Sequence, residues 1–409
     1  MRLPTATGRC IRKKPWTSKR LVDTITQSLR VDTEGGPALK LARRFPWEGA
    51  AVLPSAQFWN DSRTLKVLGM GTALPGPPVS TADLLARVER RFGVALSSRG
   101  GKLARRLKIA TRHLCRDVEK RREVPRRGHS NPDLAAVALR AALDEAHLKV
   151  DELGYLIGHT TSPACLVPPN IALVADRVGF TGPYMELRQA CTGFANALVI
   201  AQGLIAAAGI EAVAVIGSET GSVYFDPQRA GEDVSQLVNL VMMGDGAAAI
   251  VVGPDDSRHC SRISHNFFGQ VGLGRSPGFA LHAGGSDEPF VGGGALEFEH
   301  DFAAVRNSGP ELFYRGAAAA SALGIGVETV DHVIPHQANG RMAELLGPLL
   351  GIEPDRVFVN AGRLGNTGSA AIWLALAELR SSLKPGASVL ALGAEATKYM
   401  FGGFHYVHG

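Results

Sequence analysis

Three short signatures recur in the same order, at almost one offset, along this 409-residue chain. The run Tyr155-Leu-Ile-Gly-His159 matches His332-Val-Ile-Pro-His336 at 177 residues. Cys191-Thr-Gly193 matches Asn366-Thr-Gly368 at 175, and Val213-Ala-Val-Ile-Gly-Ser-Glu219 matches Val389-Leu-Ala-Leu-Gly-Ala-Glu395 at 176. One shared tripeptide carries no weight. Three in order define a duplicated unit, which restricts the fold to two like halves packed about a pseudo-twofold axis.

Within each unit, apolar runs alternate with helical patterns, the signature of an α/β architecture. The runs Leu153–Thr160, Ala212–Gly217 and Val389–Gly393 are apolar on both faces, as strands of a helix-covered sheet must be, and Leu65–Gly71 and Met185–Leu187 read as further strands. Helices are expected at Pro169–Val178, Thr192–Ala208, Arg341–Leu350 and Thr367–Leu383, the last stopped by Lys384-Pro-Gly386. The first half spans residues 65–260 and the second 261–409. Residues 1–64 belong to neither: they contain Pro4, Pro15, Pro37, Pro46 and Pro54 and no sustained apolar period. They read as a mobile arm, a surface wrap, a start placed too far upstream or an arginine-rich transit peptide.

Composition excludes several classes. At 45% hydrophobic and 20% charged, the chain has the material for a large core and is not disordered. Its 48 glycines follow no triplet period, so it is not collagen-like. Five cysteines (Cys10, Cys115, Cys165, Cys191, Cys260) without a C-x-x-C pair give neither a disulfide framework nor a zinc site, and fit a reducing compartment. The most apolar stretch, Phe194 to Gly217, is broken by Asn196, Gln202 and Glu211, so no membrane span is expected and the cytoplasm is the expected location. Residues 1–64 carry 12 Lys/Arg against 5 Asp/Glu, more than the whole net charge of +6. A second basic stretch runs from Arg87 to Arg127. Nucleic acid, a plain solvated surface, and an anionic phosphate or acidic carrier protein are the three readings of this charge, the last favoured by the motifs that follow.

The chemistry-bearing residues fall where the halves correspond. Cys191 opens a helix of small and apolar residues, Asn366 opens its counterpart, and His336 ends the strand equivalent to the one His159 ends. A cysteine at a helix N-terminus is expected to favour thiolate, beside amides that can hold an oxyanion. A histidine and an asparagine alongside supply two donors for a second developing negative charge. One Cys, one His and one Asn are too few for a metal site. Singly, each has a bland reading: a packed cysteine, a satisfied core histidine, a turn asparagine. Their placement on matching points of a duplication makes the joint bland reading poor.

Arg188-Gln-Ala-Cys191-Thr-Gly-Phe-Ala-Asn-Ala, Val333-Ile-Pro-His336-Gln-Ala-Asn-Gly-Arg341 and Leu364-Gly-Asn366-Thr-Gly-Ser-Ala-Ala resemble the three active-site motifs of the β-ketoacyl-acyl-carrier-protein synthase III family. Met243-Gly-Asp-Gly-Ala-Ala-Ala and Phe401-Gly-Gly403-Phe resemble two further family segments, so the likeness covers roughly residues 65–409. It implies a homodimer of thiolase-like fold in which Cys191 accepts an acyl group. His336 and Asn366 would bind a malonyl-type thioester and stabilise its enolate, and the amides of Cys191 and Gly403 would form the oxyanion hole. No metal and no permanently bound cofactor is implied; acyl groups arrive on phosphopantetheine, from coenzyme A or an acyl carrier protein.

The sequence also departs from the family. Ala104 to Arg112 lacks the tryptophan and T-G-I motif that meet the coenzyme A adenine, leaving Lys108, Arg112 and Arg341 as phosphate-binding candidates. Met243 replaces the aromatic residue usual before G-D-G, which reshapes the acyl pocket. Leu166 and Val167 fall where a partner subunit's side chain closes that pocket. The glycine-rich Gly272–Gly294 reads as a lid or pocket wall. The expectation is a condensing enzyme of fatty-acid or, by preference, specialised polyketide or lipid biosynthesis. The alternatives are an acyltransferase with an oxygen or nitrogen acceptor, a Cys-His-Asn thioester hydrolase and a non-catalytic carrier-binding protein.

Overall fold

The apolar runs become the strands of one large sheet. In the computed structural model, which describes residues 58–120, 123–206, 210–255, 260–281, 284–287 and 298–409, the strands are β1 (Phe58–Asp61), β2 (Leu65–Ala73), β3 (Val79–Ser80), β4 (Thr111–Arg112), β5 (Tyr155–His159), β6 (Tyr184–Leu187), β7 (Val213–Glu219), β8 (Gly246–Pro254), β9 (Arg262–Gln270), β10 (Phe279–Leu281), β11 (Phe298–His300), β12 (His332–Pro335), β13 (Ser388–Glu395) and β14 (Met400–Val407). The helices are α1 (Thr81–Phe92), α2 (Ser97–Leu107), α3 (Asn131–Ala146), α4 (Asn170–Val178), α5 (Gly193–Ala206), α6 (Val234–Met242), α7 (Phe302–Ala322), α8 (Met342–Leu350), α9 (Ala361–Leu364) and α10 (Ala371–Arg380).

The sheet runs β12-β13-β14-β9-β2-β8-β7-β5-β6, with β1 also paired to β9. Two like halves meet at its middle. In the first, β5 pairs in parallel with β6 and β7, β7 is antiparallel to β8, and β8 to β2. In the second, β12 pairs in parallel with β13, β13 is antiparallel to β14, and β14 to β9. The counterpart of β6 is reduced to a parallel bridge between Val333 and Val357. Counting strands along the chain, both halves therefore have the spatial order third, second, fourth, fifth, first. The two first strands join them, Leu65 opposite Ile263 and Lys66 opposite Arg262.

Helices cover this sheet in layers. Helices α5 and α10 share a core with inward residues of both halves, including Ile157, Val215, Ile250, Ile334, Val389 and Phe404. A helix buried over most of its surface must be apolar over most of it, and the α5 sequence GFANALVIAQGLIA is. Trp373 of α10 is completely buried, stacked on Phe404 at 5.6 Å and edge-on to Phe194 at 5.9 Å. Helices α3 and α4 cover the outer face of the first half, and α7 and α8 that of the second. Helix α3 starts with a reciprocal cap between Ser130 and Asp133, which satisfies amides that its first turn leaves open. Helices α1, α2 and α6 build a fourth core with Met243 and Phe298.

Three expectations shift. The helix expected from Thr367 begins at Ala371, because Asn366 is drawn into a bridge with Met243 and Gly368–Ala370 forms a single tight turn. Residues 58–61, assigned by sequence to the extension, pair with β9 where β2 has left it. Residues 1–57 of that extension lie outside the described residues. So do 282–283 and 288–297 of the glycine-rich segment. Its described part is pinned to the β13–β14 hairpin: Gly278 N–H donates to the Ala396 carbonyl at 3.0 Å, just after Val271 N–H donates to Tyr399 at 2.9 Å. That part is therefore anchored along its backbone.

Candidate active site

Strand β6 ends at Leu187, and the chain turns through Cys191 into α5. Cys191 is partly exposed, while Thr192 and Phe194 behind it are buried. Its carbonyl lies 3.0 Å from the place a Cβ on Gly393 would take, so the nucleophile turn rests on the backbone of β13. His336 extends β12 beside that point: its N–H donates to the Leu392 carbonyl at 2.8 Å. Asn366 reaches the same region through its loop, since Ser369 Oγ donates to the Gln189 carbonyl at 3.3 Å, two residues before Cys191. The turn from one half and the loop and strand end from the other thus converge on one end of the central layer.

The electrostatics of each group follow from burial. The imidazole of His336 is buried with no hydrogen-bond partner for Nδ1, and desolvation lowers its pKa to about 4, so the ring is neutral near pH 7. Asn366 is fixed by its backbone, donating to Met242 at 2.8 Å and accepting from Gly244 at 3.0 Å. Its Oδ1 accepts from Gly368 N–H at 3.0 Å, which leaves the Nδ2 end as the carboxamide's donor. Cys191 corrects an expectation. Burial pushes the thiol well up, and the carboxylates of Glu395 and Glu219 push in the same direction. The helix N-terminus does not outweigh a low-dielectric site with two acids, so the thiol form dominates at rest.

His159, the counterpart of His336, is structural. Trp373 Nε1 donates to its Nε2 at 3.1 Å, and burial lowers its pKa to about 3. Gln337 was not singled out by sequence, yet it locks the His336 loop. Its Oε1 accepts from Asn360 N–H at 2.9 Å, and its Nε2 donates to Pro335 and Phe358 carbonyls. Its sequence signal was its place directly after His336.

The remaining candidates divide. Met243 is buried beside Asn366 through their backbone bridge. Lys108 and Arg341 come together on Glu344, Lys108 by an ion pair and Arg341 Nε at 2.9 Å. Arg112 is a correction: it is completely buried, donating to Thr81 Oγ1 at 2.8 Å and to the Val241 carbonyl, so it is a core brace and not a phosphate ligand. Gly403 is placed by the β14 strand. It lies within β14, opposite Leu392 of β13 and Phe267 of β9, where the β14–β9 register is irregular. Glycine is needed there because a Cβ would overlap the Ala391 carbonyl and the Phe267 ring. Leu166 and Val167 are exposed, at 58% and 84%. Among the described residues, no group of three His, Cys, Asp or Glu could hold a metal, and no helix is long and apolar enough to cross a membrane.

A duplicated α/β fold with a cysteine, a histidine and an asparagine drawn from its two halves is a thiolase-like fold of the condensing-enzyme type. Two family models match the chain, 3-oxoacyl-[acyl-carrier-protein] synthase III over residues 185–270 and its C-terminal model over 320–400. The β-ketoacyl-[acyl-carrier-protein] synthase III of Oleidesulfovibrio alaskensis is 32% identical over 290 residues, covering 66% of this chain and 82% of the relative. Synthase III 3 of Streptomyces coelicolor is 31% identical, covering 80% and 93%. Among solved structures, a tetronic acid condensing enzyme, AbyA1, superposes with a TM-score of 0.74 at 27% identity, covering 84% of this chain and all of that one. The 3-oxoacyl-(acyl carrier protein) synthase III of Pseudomonas aeruginosa PAO1 gives 0.69 at 25%, covering 85% and 98%. The chain belongs to the β-ketoacyl-acyl-carrier-protein synthase III family.

Proposed function

We propose that this condensing enzyme transfers an acyl group from a phosphopantetheine thioester to Cys191 and then joins it to a malonyl-type extender. The observation that carries the reading is the meeting of the Cys191 turn with the ends of two second-half elements, one bearing a neutral imidazole without an Nδ1 partner. In the first step Sγ attacks the thioester carbonyl, and the Cys191 amide faces the oxyanion. Because the thiol is protonated at rest, its proton must leave as the bond forms. The acceptor nitrogen of neutral His336 takes it and returns it to the departing phosphopantetheine thiolate. In the second step the malonyl thioester loses carbon dioxide. Donors on His336 and Asn366 hold the enolate oxygen, and the enolate carbon attacks the acyl-Cys191 carbonyl, releasing the β-keto thioester and the free cysteine.

Residues 65–260 and 261–409 are proposed as the two halves, consistent with β2 starting at Leu65 and β9 at Arg262. The proposed donors are coenzyme A or an acyl carrier protein, whose anionic face fits Lys108 and Arg341. A homodimer is proposed through β6, an edge strand with Tyr184 exposed, together with Leu166 and Val167, which point to closure of a pocket by the partner. Specialised rather than fatty-acid metabolism is supported by the likeness to AbyA1 and by Met243 at the site. Cysteines 115, 165, 191 and 260 are unbridged, in keeping with the cytoplasm.

The test is a product assay on a panel of acyl thioesters with and without malonyl-carrier. The expected result is a β-keto product formed only with malonyl-carrier. Transfer to an alcohol or amine without loss of carbon dioxide selects the acyltransferase, and steady free acid selects the hydrolase. An enzyme inert to the whole panel overturns both.

A further inference from the structure

The duplication carries a second matched device that the catalytic reading leaves unused. Gly217-Ser-Glu219 at the end of β7 corresponds to Gly393-Ala-Glu395 at the end of β13. In each, the glycine admits backbone from the other half. A Cβ on Gly393 would sit 3.0 Å from the Cys191 carbonyl, and one on Gly217 would overlap the Ser369 carbonyl. In each, the glutamate two residues on grips what the glycine admits. Glu395 Oε2 accepts from Thr192 N–H at 3.0 Å and from Thr192 Oγ1 at 2.7 Å, directly after Cys191. Glu219 Oε2 accepts from Ser369 N–H at 3.2 Å and Oγ at 2.9 Å, three residues after Asn366.

Both carboxylates are 1% exposed, and their other oxygens are held too. Thr397 Oγ1 donates to Glu395 Oε1, and Thr161 (3.0 Å) and Ser162 hydroxyls donate to Glu219 Oε1. Neither has an ion-pair partner among the described residues. Fully hydrogen-bonded acids in a buried layer are costly to keep unless their geometry matters.

We infer that Glu219 and Glu395 are reciprocal positioning residues, each supplied by one half to fix the loop that bears the other half's reactive group. Glu395 sets the Cys191 turn and so serves acylation. Glu219 sets the Asn366 loop and so serves decarboxylation. The inference rests on the proposed roles of Cys191 and Asn366, but the grip itself has a separate readout. Both acids act on the Cys191 sulfur through space, so loss of either charge makes the thiol more acidic. The other ionisable groups around the turn are His336 beyond β12, His159 at the end of β5, and Arg188, which is paired with Glu186 at 3.5 Å. Both histidines are neutral near pH 7.

Wild type, Glu395→Gln, Glu395→Ala, Glu219→Gln and Glu219→Ala decide the matter. The glutamine variants keep an acceptor oxygen for the gripped amide and remove the charge. Each is expected to speed iodoacetamide alkylation of Cys191 near neutral pH by up to roughly tenfold, the equivalent of one pH unit, while retaining both half-reactions. Glu395→Ala is expected to slow acylation by roughly a hundredfold and leave malonyl decarboxylation nearly unchanged; Glu219→Ala is expected to do the reverse. Unshifted alkylation profiles in both glutamine variants overturn the inference. So do alanine variants that depress both half-reactions alike. If an alanine variant fails to fold, the glutamine profiles still decide. Shifted profiles in the glutamine variants, alongside a wild type that takes no acyl group, keep the grip and remove the acyl-transfer reading instead.

Discussion

At the scale of single residues, His336, Asn366 and Cys191 are proposed to touch substrate, whereas Gln337, Glu219 and Glu395 hold the segments that carry them. Removing one donor aimed at a developing oxyanion generally costs about 10²–10³ in rate. His336→Ala and Asn366→Ala are therefore each expected to lose that factor in malonyl decarboxylation while Cys191 still takes an acyl group. Single-turnover assays of the two steps check this. The sequence made all three groups visible because they sit on repeated signatures. It did not reveal the protonation state of Cys191, since a helix start is legible from residue order but the desolvation and the two acids around the sulfur are set by tertiary packing. Arg112 was misread for the same reason: an arginine in a basic stretch looks like surface until the structure buries it against Thr81 and Val241.

Residue burial also sets a pH response. His159 and His336 have folded pKa values of about 3 and about 4, below the ordinary value near 6.5. A depressed histidine contributes stability that is complete above its unfolded pKa. That contribution is lost as pH falls through the folded value, because the unfolded chain binds the proton first. The thermal unfolding midpoint is expected to fall as pH drops from about 6.5 towards 4. Replacing His159 by Asn should flatten that slope, and a slope unchanged by the replacement contradicts the assignment.

At the scale of elements, the central layer holds the site in place. Trp373 packs on Phe194, two residues into the helix that Cys191 precedes, and its indole N–H bonds His159. Trp373→Ala opens a cavity of indole size and strands the His159 acceptor, so it is expected to destabilise the fold by about 3–5 kcal/mol, read by chemical denaturation. The strands and central helices were legible because residues apolar on both faces admit only a covered position. The third strand of the second half was not, because around Val357 too little ladder forms to leave a pattern in sequence. The late start of α10 was hidden by the Met243–Asn366 bridge, a contact 123 residues apart in the chain.

For the whole molecule, the exposed β6 edge and the apolar Leu166–Val167 loop predict a dimer. Replacing Leu166 and Val167 together with Asp should yield a monomer by light scattering, with acylation lost if the partner closes the pocket; a stable dimer contradicts that placement. Carrier binding through Lys108 and Arg341 is expected to weaken as ionic strength rises, since exposed charges are screened within about 10 Å at 0.1 M salt. Titrating the interaction at several salt concentrations checks it.

The most direct measurement is the intact mass of the protein after exposure to acyl-coenzyme A and acyl-carrier thioesters. One acyl increment per chain, mapped to Cys191 and missing from Cys191→Ala, is the predicted outcome. An acyl group on another residue, or a Cys191→Ala variant that labels like the wild type, contradicts the account.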